Sequence, residues 1–129
     1  MKNNKLKVYG LFTGGGGLDI GFKEAGFEII GASDIWKESE KTMNMNYPDI
    51  PFICKDITTL TSTDILESTH GVKPDVLIGG PPCQGFSVMG DKNSADPRNY
   101  CFHWRTIASQ KRTKSICFSS WMCGQRSRF

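Results

Sequence analysis

Cys83 stands in the run Gly79-Gly80-Pro81-Pro82-Cys83-Gln84-Gly85-Phe86-Ser87, and thiol chemistry is the first thing this chain offers. The apolar stretch Asp-Val-Leu-Ile at 75–78 leads straight into it, as a short buried strand would. Two glycines let the chain bend, and two prolines then fix φ and remove backbone donors. The product is a rigid turn at a strand tip that presents one sulfur. A cysteine is more often a small buried hydrophobe than a reagent. Pro81 and Pro82 argue against packing here, because prolines do not sit inside central strands. A thiol mounted in this way suits nucleophilic attack, with the thiolate as the reacting form.

Three softer signals say what the thiol works beside. Gly14-Gly15-Gly16-Gly17 follows the apolar run 7–12 and allows a ligand close to the backbone. The loop fits neither G-x-G-x-x-G nor a P-loop, and by itself it reads equally well as a tight turn. Asp34 follows Gly14 by twenty residues and closes a second apolar run, where an acid can accept from ribose hydroxyls. Asp56-Ile57 closes a third run; the acid could take an adenine amino group and Ile57 could cover the ring. Standing alone, each acid reads as a loop or turn residue. Their common order and common position at strand ends describe an adenosine cleft without a phosphate cradle, as S-adenosylmethionine requires.

The elements that must carry these residues follow from the pattern. Strands are predicted over 7–12, 27–32, 51–54 and 75–78, with helices over 18–25, 37–46 and 62–69 between them. Gly26 sits where a helix C-cap belongs. Alternating strands and helices imply an α/β fold with a parallel, doubly wound sheet. Such sheets bind ligands beyond the carboxyl ends of their strands.

Composition narrows the setting. The chain has 129 residues, five cysteines without C-x-x-C spacing, and no apolar run of membrane-spanning length. We therefore expect a cytoplasmic, monomeric protein with reduced thiols, no membrane partner and no metal. Charge is uneven. Residues 1–100 carry 10 Lys+Arg and 13 Asp+Glu, whereas residues 101–129 carry 6 Lys+Arg and no acid. Residue 100 is read as a boundary.

The quoted motifs, with Leu11–Asp19, Lys55–Thr58 and Asp96-Pro97-Arg98-Asn99, resemble those of the cytosine-5 DNA methyltransferases, in that family's order over about residues 6–100. The resemblance implies a partial Rossmann-like S-adenosylmethionine-dependent methyltransferase fold, its parallel sheet truncated after about four strands. It implies that Cys83 adds to carbon 6 of a cytosine flipped out of DNA, so that carbon 5 can take the methyl group. Phe12, Gly14, Gly15, Gly17 and Leu18 resemble the cofactor loop. Asp34 with Ile35 resembles the ribose acid and its neighbour, Asp56 with Ile57 the adenine contact, and Pro82 the proline shared by both pockets. Gln84, Ser87 and Arg98 are similar to parts of the loop that closes over DNA.

After Asn99 the resemblance stops. No acid follows Asp96, so the family's glutamate that contacts cytosine N3 has no counterpart there. Residues 101–129 read as a poorly ordered, out-of-frame tail, in preference to a basic nucleic-acid arm. The sequence-level conclusion is the N-terminal part of a DNA cytosine-5 methyltransferase, of restriction–modification type, inactive alone. A tRNA cytosine methyltransferase and a non-enzymatic remnant that binds S-adenosylmethionine are the rival readings; a nicotinamide-dependent oxidoreductase is a distant third.

Overall fold

The computed structural model describes residues 4–80 and the backbone of a strand at 114–117. Four strands and three helices alternate: β1 (Lys7–Leu11), α1 (Gly17–Glu24), β2 (Glu28–Asp34), α2 (Lys37–Asn46), β3 (Phe52–Cys54), α3 (Ser62–Ser68) and β4 (Val76–Gly79). A fifth strand, β5 (Lys114–Cys117), completes a sheet of order β3-β2-β1-β4-β5. Every pairing is parallel. The sequence reading ended the sheet after about four strands. The added strand falls in the segment set apart by its composition, where four residues are too few to show a period.

The strand order explains which face each helix covers. The chain steps outward from β1 to β2 to β3, then returns across β1 to β4. Right-handed crossovers force the helix of the return step onto the opposite face. Side-chain alternation along the strands shows the two faces directly. Tyr9, Leu11 and Leu77 pack with Leu60 and with Ile65 of α3. Val8, Val76 and Ile78 point the other way, against Leu18 and Phe22 of α1. Ala32 meets Met43 of α2 and Ile50 on that same side. Each such buried aliphatic side chain contributes about 1.5–3 kcal/mol.

Local signals set the helix ends. At the end of α1, Gly26 takes φ of 98°, and Phe27 N–H donates to Phe22 O at 3.1 Å. Gly26 N–H donates to Lys23 O, which completes a Schellman motif. The rings of Phe22 and Phe27 close it edge to face at 5.2 Å. α3 opens with a capping box: Asp64 N–H donates to Thr61 Oγ1, and Thr61 N–H donates to Asp64 Oδ2. Lys55 Nζ lies 3.0 Å from the same carboxylate and ties the exit of β3 to that cap.

Two glycines inside strands mark close approaches. A Cβ on Gly31 would lie 2.5 Å from the Tyr9 ring, so only glycine lets that ring lie across β2. Tyr9 Oη then donates to Ala32 O at 3.3 Å, and burial pushes its phenol up to about 12. A Cβ on Gly10 would collide with the carboxylate of Asp19 on α1.

Candidate cofactor site at the carboxyl edge of the sheet

The carboxyl ends of β1, β2, β3 and β4 lie along one edge, and the expected binding residues among the described ones gather there. Beyond β1 the backbone turns left-handed at Phe12 (φ 54°), Gly14 (φ 57°) and Gly16 (φ 89°). A left-handed phenylalanine is uncommon and costs about 1–2 kcal/mol, a strain that concentrates at ligand sites. The φ of Gly16 strains any side-chain-bearing residue, and a Cβ there would also press on Met43 Sδ. Around Gly14, Gly15 and Gly17 a Cβ would meet none of the described residues within 4 Å, so the turn is open among them. α1 begins at Gly17, and its first N–H groups have no intrahelical partner.

Asp34, the last residue of β2, reaches across to this turn. Its Oδ2 accepts from Gly14 N–H at 2.8 Å and its Oδ1 from Trp36 N–H at 3.2 Å. Thr13 N–H donates to Ser33 O at 3.1 Å, continuing the β1–β2 ladder into the turn. The carboxylate is thereby oriented, half-buried, with lone pairs left for further donors. Ile35 and Trp36 beside it are 59% and 68% exposed, an apolar surface next to a charged one.

Beyond β3, Asp56 is exposed and its Oδ1 accepts from both Thr58 N–H (2.9 Å) and Thr58 Oγ1 (2.8 Å). The carboxylate therefore builds the turn that leads to α3. Ile57 is half-buried against the Tyr9–Leu77 cluster, so only part of its side chain is free for a ligand. Phe12 and Leu18 are likewise half-buried, each against a different face of the sheet.

β4 ends at the same edge. Gly79 pairs with Leu11, and a Cβ on it would sit 3.4 Å from the Phe12 ring. Pro82, Cys83, Gln84, Ser87 and Arg98 lie outside the described residues.

The sequence reading missed one buried group. Asp19 is 1% exposed beneath the turn, and burial pushes its carboxyl from 3.8 up to about 6. Its own N–H and the nearby Thr13 hydroxyl pull the other way. Gly10 in the middle of an apolar strand was the available signal, since such a glycine marks something packed against it. The folded chain thus holds a proton that the unfolded chain releases between about pH 4 and 6. Asp19 leaves stability intact below about pH 4 and lowers it as pH rises through about 6, by about 3 kcal/mol at neutral pH. Asp19→Asn should hold a constant urea midpoint from pH 5 to 7, where that of the wild type falls.

Comparison with known proteins gives the family. The family described as C-5 cytosine-specific DNA methylase matches residues 6–118. The chain belongs to that family. The match runs past residue 100 and through β5. Type II methyltransferase M.DdeI of Desulfomicrobium norvegicum is 43% identical over 99 residues, covering 75% of this chain and 23% of that protein. Type II methyltransferase M1.HphI of Haemophilus parahaemolyticus is 41% identical over 100 residues, covering 75% and 27%. Among solved structures, a candidate DNA modification methyltransferase from an E. coli prophage superposes with a TM-score of 0.67 at 33% identity, over 81% of this chain and 28% of that one. DNMT2 of Spodoptera frugiperda, solved as a mutant, gives 0.60 at 29% identity over 82% and 32%. The chain thus spans about a quarter of the length of these two type II relatives. The family implies S-adenosylmethionine as methyl donor, and the open glycine turn with its oriented carboxylate fits an adenosine. Among the described residues no helix is long and apolar enough to cross a membrane. No cluster of three or more metal-binding side chains occurs among them.

Proposed function

We propose that this chain forms the S-adenosylmethionine-binding and nucleophile-bearing part of a DNA cytosine-5 methyltransferase of the restriction–modification kind. The observation that supports it most is the Asp34 carboxylate, held by Gly14 N–H at 2.8 Å beside a turn left open by the described residues around Gly14, Gly15 and Gly17. Two ribose hydroxyls are suitable donors for such an acceptor, and Phe12 and Ile35 are suitable apolar neighbours for adenine. The N–H groups at the start of α1 favour the carboxylate of the methionine moiety. Asp56 and Ile57 would close the adenine side.

S-Adenosylmethionine, when bound, supplies an electrophilic methyl group. The nucleophile is Cys83, three residues past Gly80 and thus within about 10 Å of chain. Its thiolate would add to carbon 6 of a cytosine, the electron pair moving toward carbon 5, which would take the methyl group as the sulfonium–methyl bond breaks and leaves its electron pair on sulfur. A base then removes the proton from carbon 5, and the thiolate leaves as the ring double bond reforms. Sulfur suits both halves, being nucleophilic as thiolate and readily expelled. The cytosine must leave the DNA stack to reach a thiol at a strand tip. Pro82 would shape the pocket, and Gln84, Ser87 and Arg98 would contact the DNA strand.

Calorimetric titration tests the reading. The 129-residue chain should bind S-adenosylmethionine saturably at one site, yet transfer no labelled methyl to DNA unaided. It holds no acid past Asp96 to assist at cytosine N3. A folded chain that shows no affinity for S-adenosylmethionine would overturn the assignment.

A further inference from the structure

Two buried polar atoms lie beneath the glycine turn, and the binding scheme above does not use them. Asp19 is 1% and Thr13 6% exposed. Asp19 Oδ1 and Thr13 Oγ1 have no hydrogen-bond partner among the described residues. The Thr13 hydroxyl is nevertheless near enough to pull the Asp19 titration downward. A buried carboxylate oxygen left unanswered is costly, and the Thr13 hydroxyl is a donor of the kind it lacks. The location is specific. Asp19 Oδ1 fills the space that a side chain on Gly10 of β1 would occupy.

Thr13 is the hinge between that interior and the ligand edge. Its C=O accepts from Gly16 N–H at 2.9 Å, and its N–H donates to Ser33 O at 3.1 Å. The next residue, Gly14, donates to Asp34 Oδ2. A displacement of Thr13 therefore moves the N–H that orients Asp34.

We propose that Asp19 is a positioning residue for the cofactor turn: its carboxylate accepts from the Thr13 hydroxyl and fixes, from inside the fold, the turn that aims Gly14 N–H at Asp34. Asp19 touches no ligand. Asp34 restrains the turn from the ligand edge, and Asp19 restrains it from the core. The functional consequence rests on the adenosine role proposed for Asp34; the restraint itself does not. Ionised Asp19 lowers stability at neutral pH, and a fold tolerates such a cost where it serves a site.

Amide hydrogen exchange in the ligand-free 129-residue chain, read by NMR at pH 7, tests this. Asp19→Ala should speed exchange at Gly14 and Gly16 about tenfold while the amides of α3 keep their rates. Thr13→Val should do the same, and combining the two should add little. Asp19→Asn, which keeps an acceptor, should retain the protection. The relocated pair G10D/D19A returns a carboxylate to the same space from the strand side and should restore it. S-Adenosylmethionine titrated in parallel should bind about tenfold more weakly to Asp19→Ala and recover in the relocated pair. Should Asp19→Ala fail to fold, the nearly isosteric Thr13→Val carries the same readout. Unchanged turn amides in Thr13→Val, or protection lost evenly through α3, would overturn the proposal. A wild-type chain that ignores S-adenosylmethionine while its turn amides respond as stated would remove the adenosine reading and leave the positioning role standing.

Discussion

Residues 6–100, grafted in place of the matching segment of a type II relative, should support methyl transfer to DNA, and Cys83→Ser in that graft should lower the rate by about 10³-fold or more. The size of the effect follows from the chemistry. At neutral pH a few per cent of a free thiol is already thiolate, whereas a serine hydroxyl is essentially never ionised. Serine keeps the shape of the turn but supplies neither the attacking anion nor a good leaving group. Gly79 pairs with Leu11 and lies against Phe12, so the graft inherits the end of β4 at the turn. Labelled-methyl incorporation measures both arms. A serine graft as active as the cysteine graft would refute the covalent role.

Asp34→Ala in the 129-residue chain should weaken S-adenosylmethionine binding about 100-fold by calorimetry. A hydrogen bond from a ribose hydroxyl to a carboxylate contributes about 1.5–3 kcal/mol, and two hydroxyls are available. The substitution also leaves Gly14 N–H without the acceptor it holds at 2.8 Å. Asp34→Asn keeps one acceptor oxygen for Gly14 N–H but loses the charge and sets an NH2 donor against Trp36 N–H, so it should fall between wild type and alanine. Equal affinity in all three proteins would place the ribose elsewhere.

Most of the frame was legible before any coordinates. Four strands and three helices lie within about two residues of their predicted bounds, because apolar runs and their glycine or proline boundaries are unambiguous in a parallel sheet. The twenty residues between Gly14 and Asp34 correspond to a real contact, since one helix and one strand separate adjacent parallel strands. Other features were hidden. Asp56, expected to serve adenine, also builds a turn: its Oδ1 accepts from Thr58, a local preference that spacing does not disclose. Asp19 was not singled out; only the register of α1 against β1 puts it over Gly10. β5 was masked by composition, for Lys114 and Ser115 lead a strand whose pairing with β4 depends on the whole sheet.

The left-handed run at Phe12, Gly14 and Gly16 bears on kinetics as well as shape. A segment that has already surrendered its backbone freedom during folding need not surrender it again when a nucleoside arrives. Association should therefore proceed in a single concentration-dependent phase, without the slower second relaxation that marks a loop rearranging around its guest.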